Sequence, residues 1–310
     1  MASTTTNTPA GGDDRDPITL FEAHRRQMIR DRMVVNLTLG VLFIAFVLWS
    51  AWISRFTPDR LATGFPRIFE YFGAVMPSLQ WDVMFEPRNE AGRFPPGSLG
   101  FWYNDFWKYI TLIWETILMA LTATLIATGL AVVLSFLAAR NTSPAPWVGV
   151  LARRFLEFCR GVPEILFALV LVFAVGIGPL AGVIAIVIHA TGALGKLFSE
   201  VVENASMRPV DGVKAVGGDW FEQMRYGILP QVLPNYTSYA LWRFEINVRA
   251  SAVVGFVGAG GIGAELSHVI SFYSDDRVTA VLILIVLTVT MIDLLSERLR
   301  HALIGKEVLK

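Results

Sequence analysis

Asp211-Gly212-Val213-Lys214-Ala215-Val216-Gly217, followed after eleven residues by Leu229-Pro230, is the stretch on which the reading of this chain turns. It sits in a polar segment, Ser199–Gln231, with long apolar runs on either side. The pattern predicts a short helix, a glycine turn and a second short helix, with proline opening the helix that follows. Proline suits a first helical turn, where its missing N–H would have had no partner. Between two membrane helices such a unit is a rigid convex knob that another protein can grip. An ordinary amphipathic connector has the same spacing, so spacing alone leaves both readings open.

The flanking runs decide the solvent. Of 310 residues, 54% are hydrophobic and 17% charged, whereas a soluble domain carries about 25% charged residues. The deficit is concentrated in runs, and a spanning helix takes about 20 mostly apolar residues to cross a hydrocarbon layer about 30 Å thick. Six spans are expected: Met33–Ile53, one within Tyr109–Ala139, Val162–Gly176, Leu180–Phe198, Val232–Gly255 and Val278–Leu295. Gly176-Ile177-Gly178-Pro179 predicts a tight reversal between the third and fourth. The expected fold class is therefore an all-α integral membrane protein with six transmembrane helices.

Domain organisation follows from these runs. Residues 1–32 form an N-terminal tail, polar and expected to be disordered up to Asp16, then amphipathic and basic over Ile18–Arg32, as a helix lying at a membrane interface would be. Residues 33–54 are the first span: no short apolar segment with a small-residue cleavage site follows the polar leader, and this run is long enough to stay as an anchor. Residues 55–106, rich in proline, glycine and aromatics, read as an extracytoplasmic loop with short helices. Residues 107–304 hold five spans and the polar segment, and 305–310 are a tail. Lysines and arginines flank the spans at the N-terminus, in a loop over Arg140–Arg160, in Ser199–Gln231 and at the C-terminus. With six spans all four lie on one side, and the positive-inside rule makes that side, with both termini, cytoplasmic.

Several function classes drop out. The net charge is zero, which gives no general attraction to nucleic acid. Cys159 is the single cysteine, and four scattered histidines do not make a metal cluster. Nucleophile-elbow, zinc-protease and phosphate-loop motifs are missing, and Gly192-Ala193-Leu194-Gly195-Lys196 has the wrong spacing for the last. The chain is not expected to be an enzyme, and no cofactor is expected in it.

The fifth expected span contains Tyr239-Ala240-Leu241-Trp242-Arg243-Phe244-Glu245-Ile246-Asn247-Val248-Arg249-Ala250. Three ionised groups at bilayer depth would cost about 8–10 kcal/mol if unpaired and additive. They must face one another, a neighbouring helix or a wet cavity. At helical spacing Arg243, Asn247 and Ser251 share one face, while Glu245 and Arg249 lie nearly opposite. Glu245 and Arg249 form an i,i+4 pair in the favourable order, so an intrahelical ion pair explains them as well as a pathway does. Arg243 has no such partner, and with Asn247 it is a candidate to line a pathway or bridge a dimer interface. An arginine fork beside an amide suits a tetrahedral oxyanion.

Two further segments carry candidates. In Arg160-Gly161-Val162-Pro163-Glu164 the acid near a helix N-terminus is favoured by the helix dipole, and Arg160 and Glu164 are also candidates to gate a pathway mouth. Gly258-Ala259-Gly260-Gly261-Ile262-Gly263 fits a dinucleotide-binding fingerprint literally, but a membrane helix precedes it and no acid stands at the required distance. It reads better as backbone that must bend and pack closely, with Gly258, Gly260 and Gly261 as candidates to offer N–H groups to an anion. His189, in an apolar run, reads as a hydrogen-bonded structural histidine rather than a proton relay.

The polar segment resembles the cytoplasmic signature of the permeases of ABC importers, an acid-Ala-Ala helix, a glycine and a terminal Leu-Pro. Gly217, Leu229 and Pro230 match; Asp211 stands for the usual glutamate, Gly212-Val213 for the alanines and Gly227 for an isoleucine. These departures, with Tyr226-Gly227-Ile228-Leu229-Pro230, resemble the phosphonate-importer subgroup, as do the stretch through Gly263 and the start of the third span. The resemblance covers Trp107 to Ile304. It implies the MetI-like core of type I importers, and a permease subunit that carries phosphonate or a related oxyanion such as phosphate or phosphite. It also implies a homodimer around the pathway, two ATPase subunits seated on Asp211–Pro230 and holding ATP and Mg, and an extracytoplasmic binding protein. Asp211, Gly212, Gly217, Gly227, Leu229 and Pro230 would couple to the ATPase. The alternative is a secondary transporter or channel that relays ions through Glu245, Arg249 and His189.

Overall fold

The computed structural model describes residues 17–76, 79–89, 92–272 and 275–304. The expected disordered leader and the tail 305–310 lie outside the described residues. Regular structure among the described residues is helical throughout. The chain divides into two compact units, Met1–Phe72 and Gly73–Lys310.

The first unit holds α1 (Pro17–Ile53) and most of α2 (Pro58–Val75). α1 runs unbroken, so the basic stretch Ile18–Arg32 and the apolar run Met33–Ile53 belong to one helix. A continuous helix carries its arginines along its own axis, and after Pro17 it contains no proline that would turn the chain into the membrane plane. Arg55, at φ 53°, turns the chain into α2. α2 spans 18 residues, longer than the short helices expected there.

The second unit runs α3 (Leu99–Trp102), α4 (Phe106–Ala138), α5 (Pro146–Gly161), α6 (Glu164–Val175) and α7 (Pro179–Glu203). It continues with α8 (Arg208–Ala215), α9 (Trp220–Glu222), a π-helical turn (Gln223–Ile228), α10 (Leu229–Gly255), α11 (Gly261–Phe272) and α12 (Asp275–Ile304). α4, α7 and α10 form its centre. α4 and α7 are parallel: a Cβ added at Gly182 would meet the Met119 methyl at 2.6 Å. At their far ends the Arg140 N–H donates to Glu203 Oε1 at 3.0 Å. α10 runs antiparallel to both. Tyr236, near its start, shares a 2.8 Å hydrogen bond with Ser135 on α4 and stacks on Phe198 of α7 at 3.8 Å. Ala120, Ala123, Ala127 and Ala131 of α4 and Ala185 and Ala190 of α7 are fully buried. In lipid, helices gain little from mutual apolar burial and associate through close van der Waals contact, which small side chains permit.

Among the described residues four helical segments are long and apolar enough to cross a membrane: His24–Ile53, Phe106–Ala138, Pro179–Glu203 and Arg277–Arg300. The expected third span, Val162–Gly176, is not a straight crossing; with the bent pair α5–α6 counted as one span, the described segments able to cross number five. α6 has 12 residues, about 18 Å of helix against a layer about 30 Å thick. The preceding stretch, expected as a loop over Arg140–Arg160, is largely the amphipathic helix α5, bent 86° from α6 at Val162-Pro163. Proline has no N–H to give and excludes the α conformation from the residue before it, so one straight helix cannot run through. The reversal at Gly176 (φ 97°) and Gly178 (φ 149°) is as expected. α11 is an addition, since no helix was expected between the fifth span and the sixth.

Candidate functional site

The polar segment folds as helix, glycine turn, helix. α8 ends at Ala215 and the chain turns at Gly217, whose φ of 88° is open to glycine at no steric cost. The N–H groups of Gly217 and Gly218 close the turn on the carbonyls of Lys214 and Val213 at 3.0 Å each. Asp219 caps the next helix in a reciprocal box with Glu222, through bonds of 2.8 and 2.9 Å. Pro230 stands in the first turn of α10. The inner side of this knob is welded to the bundle, because Val210, Met224 and Ile228 belong to one buried cluster with Phe198, Val232 and Tyr236. Gly227 is where α8 and the π turn touch: a Cβ there would lie 2.8 Å from Val210 Cγ2 and 3.0 Å from its Cα. Gln231 ties the start of α10 to the start of α8 through both Ser206 backbone groups. The outer side presents Asp211, Gly212 and Lys214, and leaves Val216 86% and Phe221 75% exposed.

α10 separates its polar residues onto two faces. On the inner face Arg243, Asn247 and Ser251 are buried against α4 and α7, with Arg243 8% exposed. Asn247 donates to Thr124 Oγ1 at 2.9 Å. On the outer face Arg249 NH2 donates to Glu245 at 2.8 Å and to Asp293 of α12 at 2.6 Å, and Arg300 stands 3.6 Å from the other Glu245 oxygen. This face borders a cleft of about 470 Å³ lined by Ile165, Arg249, Val253, Phe256 and Val286 among others. The candidates on α10 are thus not one constellation; the helix directs them to opposite sides.

At the α5–α6 bend, His189 of α7 makes a 2.9 Å hydrogen bond through Nδ1 to the Val162 carbonyl, and its Nε2 lies 3.6 Å from Glu164. The bend is stapled by a histidine whose two ring nitrogens both face partners. Arg160 is exposed in the last turn of α5, and among the described residues it forms no ion pair with Glu164. The glycine loop is a packing joint. A Cβ at Gly260 would press on Pro179 at 3.0 Å, one at Gly261 on Thr116 Oγ1 at 2.5 Å, and one at Gly263 on the Ala252 carbonyl. Three of its N–H groups are engaged: Gly258 with the Gly255 carbonyl, Ile262 with Thr116, and Gly261 with the Glu115 carboxylate at 3.4 Å. A carboxylate thus stands beside the Gly261 N–H.

Residues 131–305 match the family of binding-protein-dependent transport system inner membrane components. The chain belongs to this family. The permease is 38% identical, over 64% of its length and 72% of the relative's, to the phosphite transport system permease protein PtxC of Stutzerimonas stutzeri. It is 34% identical over 82% of its length to the phosphate-import permease protein PhnE of Mycolicibacterium smegmatis, of which it spans 44%. Its fold resembles a chain of the inward-facing MetNI methionine ABC transporter with a TM-score of 0.56 at 20% identity, over 64% of the permease and 98% of that chain. The matched region takes in the knob, the α10 polar helix and α12, and it identifies the permease as a multi-pass inner-membrane protein with an all-helical, MetI-like core.

Some site residues escaped the sequence reading. Asp293 is the lone acid in the last apolar run, a signal that pairs it with an intramembrane arginine. Glu115, Thr116 and Thr124 carried no comparable signal, because their partners are more than a hundred residues away. The permease also offers little to an ion relay, since Glu245, Arg249 and His189 are all engaged in bonds or ion pairs.

Proposed function

We propose that the permease forms half of the pathway of an ATP-driven importer for a small phosphorus oxyanion: phosphonate, phosphite or phosphate. Two copies of the chain enclose the pathway, each crossing the membrane six times with both termini in the cytoplasm. One ATPase subunit per copy grips the knob Asp211–Pro230, supplying ATP and Mg from its own chain. An extracytoplasmic binding protein delivers the cargo.

The observation that carries this reading is the knob itself. Its outer surface exposes large apolar side chains, while its inner surface is continuous with the buried core of α7 and α10. Force applied at Val216 and Phe221 is therefore transmitted through Val210 and Ile228 to the charged middle of α10. Arg249, on the open face of that helix, and Glu164 and Arg160, beside the α5–α6 bend, contribute to the pathway wall. The relatives named for phosphite and phosphate transport support the cargo class.

The test is uptake of labelled methylphosphonate, phosphite and phosphate in cells with and without the permease and its ATPase. Uptake should require ATP hydrolysis. Accumulation that survives loss of the ATPase but collapses with the proton gradient would overturn the proposal in favour of secondary transport.

A further inference from the structure

Ser135, Phe198 and Tyr236 form one layer across α4, α7 and α10, joined by a hydrogen bond and a ring stack. Two helical turns deeper, on the same face of each helix, stand Thr128, Thr191 and Arg243. Independent contacts give the same register. Thr128 and Thr191 keep the 63-residue offset of the Arg140–Glu203 bond, and Thr128 and Arg243 lie one turn beyond the Thr124–Asn247 bond. All three members of this second layer carry a buried polar atom without a hydrogen-bond partner: Thr128 Oγ1, Thr191 Oγ1 and Arg243 Nε.

The layer is rich in hydrogen-bond donors. Arg243 Nε–H only donates. Thr116, Thr124 and Thr288 give their hydroxyl protons to the carbonyl four residues back, whereas Thr128 and Thr191 do not, so each has a proton to offer. Arg243 is more than nine-tenths buried, and among the described residues it makes no ion pair, Glu164 standing 3.6 Å from His189 instead. Buried polar groups in native proteins find partners, and a buried cation among free donors calls for an anion with several acceptor oxygens.

We propose that Thr128, Thr191 and Arg243 form an oxyanion-binding niche inside each permease chain, a waypoint for the phosphorus oxyanion within the membrane. The cargo assignment rests on the proposed function; the niche rests on the donors. The dimer then has two equivalent waypoints, one per chain, apart from the Arg249 face.

The test compares the wild-type permease–ATPase complex in lipid nanodiscs with a Thr128→Val/Thr191→Val variant, nearly isosteric and lacking both hydroxyls. A Thr128→Ser/Thr191→Ser variant restores them. Phosphate binding to the complex without binding protein, and phosphate uptake with it, should both fall about tenfold or more in the valine pair, since hydrogen bonds to charged groups are the stronger class. Both should recover in the serine pair, and Arg243→Gln should reproduce the loss while ATPase docking persists. Equal phosphate binding by the wild type and the valine pair would overturn the niche even where uptake is seen. Binding that depends on the niche, in a wild type that takes up no phosphorus oxyanion, would instead overturn the importer reading.

Discussion

Asn247 donates its side-chain amide to the hydroxyl of Thr124 at 2.9 Å, across 123 residues of sequence and with Asn247 wholly enclosed. Together with Ser135–Tyr236 it pins α4 to α10 at two levels, so α10 cannot slide along α4 without breaking one of them. The bond makes Asn247 a register pin, which is a different role from a pathway lining and is separable from it.

Asn247→Leu should insert and dimerise normally but lose about 0.6–1.7 kcal/mol of stability, the range measured for side-chain hydrogen bonds between membrane helices. Thermal unfolding in detergent reads this. Unchanged stability would show that packing alone sets the register.

Gly217 is required for its backbone and not for space, since nothing lies within 4 Å of a Cβ there while φ is 88°. Gly217→Asn should therefore keep ATPase docking, because asparagine tolerates left-handed backbone, whereas Gly217→Val should lose it. Co-purification of the ATPase distinguishes them. Equal retention by both variants would remove the turn from the coupling role.

Gly227 is required for space. Gly227→Ile should push the π turn off Val210 at a cost of about 1–3 kcal/mol, leaving membrane insertion intact and weakening ATP-driven uptake. A normal rate of uptake would mean that α8 and the π turn need not touch.

Arg249 holds two carboxylates on two helices. Arg249→Gln leaves Glu245 and Asp293 without their shared cation, while Asp293→Asn leaves the Glu245–Arg249 pair intact. The arginine variant should be the less stable of the two, and the double variant should be less destabilised than the sum of the singles. Additive losses measured by thermal unfolding would show that the network is not coupled.

Gly192 sits where α5 crosses α7, and a Cβ would lie 2.5 Å from the Arg160 nitrogen and 2.7 Å from the Leu156 carbonyl. Backbone atoms cannot step aside as a flexible side chain can. Gly192→Val should abolish accumulation of folded permease, as seen by size-exclusion chromatography of solubilised membranes. A monodisperse variant at wild-type yield would show that α5 can dock elsewhere.

Much of this architecture was legible in the residues. The knob, its glycine turn and the proline that opens α10 follow from short-range chemistry, as do the reversal at Gly176-Ile177-Gly178-Pro179 and the Glu245–Arg249 pair. The bend at the third span was not legible because an apolar run tells composition and not direction, and the turn at Val162-Pro163 is completed by His189 from another helix. The glycine loop was legible as a close-packed bend, whereas the carboxylate beside its Gly261 N–H comes from Glu115 on α4 and left no local signal.

Sequence alone determined that this protein lives in lipid, where its main helices run and which segment is built as a knob, because apolar length, glycine and proline act on their own neighbourhood. Tertiary structure alone decided which way α10 turns. Helical spacing sets Arg243 and Arg249 on different faces without saying which looks inward, and only contact with Thr124, Ser135, Phe198 and Asp293 settles that direction.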